Sequence, residues 1–198
     1  MRKIILFLSG LLFLTTGCAT TAQEKAINIV NAGAVNAELL ERVRAFAEKE
    51  LHVRVRTEEN QSLAGPKDFQ TLEKAAEKAK SESDITFIVL ADLPHDEHLK
   101  VYPESGIGIV NAHPLQTDDA EKFARRIQRM VMRAAAFCFE LPPTPDPFCV
   151  TRDYRSLEDL DRMGINYSPP WQKRYADEAA KRGLKPVQPS VATPPFAK

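Results

Sequence analysis

Three cysteines and a single tryptophan in 198 residues leave little for a disulfide-built or cysteine-metal scaffold. Net charge is also missing, with 27 basic residues against 27 acidic ones. A nucleic-acid-binding domain would need a strongly basic face, so that class is set aside. No internal repeat is present. No apolar run reaches the roughly 20 residues that a membrane-crossing helix needs.

The longest apolar run lies at the start. Met1-Arg2-Lys3 precedes Ile4 to Leu14, apolar except for Ser9 and Gly10, and then come Thr15, Thr16, Gly17 and Cys18. A short basic segment, a short apolar run and small residues before a cut site are the parts of an export signal. A cysteine just after the small residues marks the lipoprotein form, because its thiol takes a diacylglyceryl chain. Residues 1–17 are therefore read as a removable signal, with Cys18 lipidated at the new N-terminus. A multiply acylated cysteine holds a protein stably on a membrane. The expected partner is membrane lipid through Cys18, and the expected location is the cell envelope. With Ala19 rather than Asp following, the outer membrane is favoured where two membranes exist. Cleavage removes Arg2 and Lys3, leaving 25 basic residues against 27 acidic ones.

After a tether at 18–25, strand and helix patterns alternate, as in an α/β layer fold. Ala26 to Ala32 reads as a strand, and Asn36 caps a helix whose Leu39, Leu40, Val43, Phe46 and Leu51 recur at helical spacing. His52 to Thr57 alternates like a strand with one wet face, and a charged helix is expected over 67–81. The nearly continuous apolar run Ile85 to Ala91 predicts the centre of the sheet, covered on both faces. Gly106 to Asn111 is a further strand. The longest helix then starts at Thr117 or Asp118 and runs to about Phe139, before Pro142-Pro143. Short helices at 156–162 and 171–182 follow. Residues 183–198, rich in proline, are expected to be a disordered tail.

The segment from Arg125 to Trp171 resembles the catalytic region of the archaemetzincins, zinc peptidases of the metzincin group. Their pattern is HExxHxxGxxH, a cysteine, four residues, CxM, and a later CxxC. Setting Cys149-Val150-Thr151 on CxM fixes the register without a gap. Arg133 then stands for the first zinc histidine, Ala134 for the glutamate, Phe137 for the second histidine, Glu140 for the glycine and Pro143 for the third histidine. Of the all-cysteine site only Cys149 remains, its partners falling on Thr144, Ser168 and Trp171. The resemblance implies a metzincin-like three-layer domain over 26–182. It has a mixed twisted sheet, a long central helix carrying the degenerate motif, and a short C-terminal helical subdomain. YPESGIGIVNAHPL takes the place of the edge strand.

In that register the zinc chemistry is gone, since arginine, alanine and phenylalanine supply neither ligand nor base. Zinc is therefore expected to be absent, and an inactive domain with a binding or scaffold role, for a peptide or another envelope protein, is the leading reading. The alternative is a metal-dependent hydrolase built on His95 and His98, the only local cluster of metal-capable groups. That pair is expected instead on a solvated loop. Arg125, Arg129 and Arg133 fall at i, i+4 and i+8. They are expected on a solvated basic face, with Arg133 as a possible ligand contact in the old cleft. Cys138 and Cys149 could pair in an oxidising compartment, adding about 2 to 3 kcal/mol, or remain separate buried thiols.

Overall fold

The computed structural model describes residues 23–187. The signal segment, Cys18 and most of the tether lie outside the described residues, as does the tail from 188 on. Five strands, β1 (Ala26–Asn31), β2 (Val55–Glu59), β3 (Asp84–Ala91), β4 (Leu99–Tyr102) and β5 (Ile107–Asn111), form one sheet in the order β2-β1-β3-β5-β4. All pairs are parallel except β4 with β5. β3 is central, as its apolar run requires: every residue from Thr86 to Ala91 is buried.

The helices are α1 (Ala37–Leu51), α2 (Phe69–Ala79), α3 (Ala120–Cys138), α4 (Leu157–Arg162) and α5 (Pro169–Lys181). Asn36, Asp68, Asp119 and Ser156 each accept the backbone N–H three residues on, satisfying an otherwise orphaned donor at the start of α1 to α4. The twofold alternation of strand side chains divides the core. Ile27, Ile29, Ile88, Leu90 and Val110 face α1 and α3, whereas Val30, Phe87, Val89, Ile107 and Ile109 face α2. The result is a helix–sheet–helix sandwich, in which each fully buried Ile or Leu contributes about 1.5 to 3 kcal/mol.

α3 lies very close to β5. A Cβ on Gly108 would fall 2.9 Å from the Cβ of Ala134, so both positions are held to small residues. α5 crosses the C-terminal ends of α1 and α3: Gln172 Nε2 donates to Glu50 O, and the rings of Tyr175 and Phe139 stack at 5.1 Å.

Three sequence expectations need correction. The edge strand beyond β5 is β4, a four-residue segment, and Gly106–Asn111 is interior. Strand β2 begins at Val55 rather than His52, because His52 is the left-handed cap of α1 at φ 54°. The presumed tail is docked at its start: Leu184 is buried, Pro186 bridges Val53, and Val187 N donates to His52 O.

Candidate functional site

Almost every residue of α3 from Ala124 to Cys138 is buried, because the sheet covers one side and the C-terminal segments 139–168 cover the other. Only Arg125 among its arginines is exposed. The expected solvated basic face is therefore overturned. The inward row is Arg126, Arg129 and Arg133, spaced i, i+3 and i+7, and all three side chains are buried.

Each arginine in this row grips the C-terminal segments. Arg126 forms a two-pronged pair with Asp161 (Nε–Oδ1 2.8 Å, Nη2–Oδ2 2.7 Å), and its Nη1 donates to Leu115 O. Arg129 donates to the carbonyls of Asp161 and Met163. Arg133 donates from Nη1 to Val150 O at 2.8 Å and to Arg152 O at 2.6 Å. The α3–α4 loop thus turns the carbonyls of Val150 and Arg152 inward to Arg133, while α4 and its C-terminal end meet Arg126 and Arg129. Such charge-assisted bonds are stronger than neutral ones.

Arg133 is enclosed by aromatic rings. Its Cζ lies 5.0 Å from the ring centroid of Phe137, one turn on, and 5.0 Å from that of Tyr154. Tyr154 Oη is 2.6 Å from His98 Nδ1, and the two rings are stacked. A chain of contacts therefore runs from the start of β4 through His98 and Tyr154 to Arg133 on α3. Arg133 Nε is buried without a partner. Burial lowers the pKa of Arg133, raises that of Tyr154, and lowers that of His98, where the nearby Arg126 and Arg133 charges act in the same direction.

Arg133 and Phe137, which the sequence resemblance matches to two zinc histidines, lie on one face of α3, and neither carries a donor lone pair for a metal. Ala134 is pressed on Gly108, and Pro143 is exposed. His95 and His98 are also not brought together. His95 Nε2 is 3.1 Å from Lys67 O with its ring against Phe69, whereas His98 is half-buried and turned to Tyr154. Among the described residues, no group of three or more His, Cys, Asp or Glu side chains is placed to hold a metal ion. His113 pairs with Asp92 at 2.9 Å, and His52 is exposed.

Asn111, at the end of β5, organises the loop that carries these histidines. Its Oδ1 accepts from the backbone of Leu93 and His113, and its Nδ2 donates to the carbonyls of Leu93, His95 and Glu97.

Cys138 and Cys149 are both free and buried. Burial pushes the Cys138 thiol up to about 12. Cys149 Sγ lies 3.2 Å from Thr151 Oγ1 and accepts the backbone N–H of Ser168 at 3.3 Å, so the pairing with Cys138 is not made. Thr144 and Ser168 are buried, and Trp171 Nε1 donates to Pro142 O. The four positions matched to a cysteine cluster are thus filled by one thiol, two hydroxyl residues and an indole. Tyr154 carries no motif signal. The phase of the arginines, i, i+3 and i+7, was the available clue to the inward row.

No protein family and no curated protein matches the sequence. Solved structures do match by shape. Archaemetzincin from Methanopyrus kandleri superposes with a TM-score of 0.65 at 16% identity, covering 79% of this chain and 96% of that one. A zinc-dependent peptidase from Methanocorpusculum labreanum gives 0.58 at 16% identity, covering 75% and 99%. Archaemetzincin from Archaeoglobus fulgidus, complexed with malonate, gives 0.57 at 12% identity, covering 75% and 99%. The chain therefore has the archaemetzincin fold, and its domain is related in architecture to zinc peptidases.

Proposed function

We propose that this protein is a lipid-anchored envelope lipoprotein whose archaemetzincin-like domain does not cut peptides and serves a binding or scaffold role. The observation that carries this reading is Arg133. Where the sequence resemblance places the first zinc histidine, a buried guanidinium bonds two backbone carbonyls and packs between Phe137 and Tyr154. A cation already fills the position, and a dication beside it would be repelled. Both hydrogens of Nη1 are engaged within the fold, so the arginine acts first as an internal tie between α3 and the 150–154 loop. Ala134 offers no base to activate a water molecule.

Anchoring rests on the basic, apolar and small-residue segments before Cys18. The partner would be a peptide or protein of the envelope. Metal analysis and peptidase assays on the purified mature protein test the reading. Substoichiometric zinc, no cleavage of unstructured peptides and an unchanged melting temperature in chelator are expected. One zinc per chain, or metal-dependent cleavage, would overturn it.

A further inference from the structure

The parallel strands give the molecule two unlike ends. At their carboxyl ends sit Glu59, Asp92, Asp96, Glu97, Asp118 and Asp119, six acids set among Lys67, Lys100 and Lys122. At their amino ends lies α5, and between Pro169 and Lys185 five cations (Lys173, Arg174, Lys181, Arg182, Lys185) face two anions (Asp177, Glu178). Lys173 pairs with Asp177, and Lys181 and Arg182 pair with Glu178. Arg174 and Lys185 have no carboxylate partner among the described residues. Arg174 instead lies over the ring of Trp171, 4.7 Å from its centroid.

The described chain also begins at this end. Lys25 Nζ donates to Arg182 O at 3.0 Å, placing the first residues of the domain against the last turn of α5. Seven residue steps separate Cys18 from Lys25, and even a fully extended chain covers no more than about 25 Å over that span. A lipid on Cys18 would hold the α5 end near the bilayer and leave the acidic end outward. Beside α5 a groove of about 440 Å³ brings Arg174, Lys181 and Arg182 together with Glu140, Asp177 and Glu178, so its charges balance and, among the described residues, the unpaired cations of this end are Arg174 and Lys185 on its outer surface.

We infer that α5 is the face this domain turns toward a phospholipid bilayer, with Arg174, Lys181 and Lys185 against anionic headgroups and Trp171 at the interfacial level. The inference rests on the reading that Cys18 carries lipid. Three features agree with it. Cations near an anionic leaflet each favour the surface, tryptophan prefers the interface between water and acyl chains, and a second attachment limits the rotation that one tether allows.

Trp171 is the only tryptophan in the chain, so its fluorescence reports this face alone. The full-length protein, processed in a bacterial envelope, is reconstituted into phosphatidylethanolamine–phosphatidylglycerol vesicles carrying a nitroxide on the headgroup. Flotation is scored in parallel. The protein should float, and Trp171 emission should be quenched. Combined Arg174→Glu, Lys181→Glu and Lys185→Glu substitution on this exposed surface should relieve the quenching while flotation persists. Flotation with unquenched Trp171 would overturn the membrane-facing role of α5 and leave the anchor standing. Quenching that survives the triple substitution would remove the charged contacts. Failure to float would refute the Cys18 reading, and this inference with it.

Discussion

Arg133 Nη1 and the carbonyl oxygen of Val150 lie 2.8 Å apart, joining the last turns of α3 to the loop that leads into α4. Replacing Arg133 with alanine removes both carbonyl bonds and empties the space between Phe137 and Tyr154. A loss of about 3 kcal/mol in unfolding free energy is expected, measurable by urea denaturation. Arg133→Lys should recover part of it, since an ammonium restores a donor but not the flat surface between two rings. A neutral alanine variant would show that the tie is unimportant.

His98 supplies a pH dependence. Burial, aided by Arg126 and Arg133, holds its pKa below the ordinary value of 6.5. The unfolded chain therefore takes up the proton more readily, and stability falls as pH drops through 6.5 toward the folded-state pKa. Melting temperatures across that range should decline on acidification in the wild type. The decline should be smaller in His98→Gln, and equal slopes would refute the assignment.

Asp161 acts in a lower window. Its hydrogen-bonded pair with Arg126 holds the carboxyl below the ordinary 3.8, so the stabilisation is present above that value and is lost as pH falls through the lowered pKa. Acid unfolding should move to higher pH in Asp161→Asn, followed by far-UV circular dichroism.

Gly164 is required by its surroundings rather than by its dihedral angles. A Cβ there would lie 1.8 Å from the carbonyl oxygen of Phe148, a contact that backbone must move to relieve. Gly164→Ala should destabilise by about 1 to 3 kcal/mol. A variant as stable as wild type in a thermal melt would contradict the close approach of these two loops.

The two buried thiols should stay unmodified by alkylating agents in the native state and react together on unfolding. Cys138, with its pKa near 12, presents almost no thiolate at neutral pH. Mass spectrometry of the non-reduced protein checks this directly: a mass two hydrogens lower would mean a disulfide.

Much of the framework was legible because it is written in local patterns. The apolar run in β3 reflects cover on both faces, and Asn36 and Ser156 are caps whose side chains meet nearby N–H groups. β4 leaves little trace in the sequence because Leu99–Tyr102 is four residues long and only half-buried, a weak alternation at a sheet edge. Four-residue steps from Arg125 trace one side of a helix and so point to the wrong row of arginines. The buried row uses a three-residue step from Arg126, since the packed face follows the 3.6-residue period. Its partners at Val150, Arg152 and Met163 are backbone carbonyls, identical at every residue and so invisible to sequence reading. The Cys138–Cys149 pairing could not be judged from spacing, because it depends on where a proline-rich loop returns.

The tie between α3 and the 150–154 loop has a consequence for how the protein matures. Its cation is part of the polypeptide, so the junction closes when the chain itself folds and waits on no supply of ions from outside. Because the guanidinium is covalently part of the chain, this one junction cannot be unloaded by a chelating competitor.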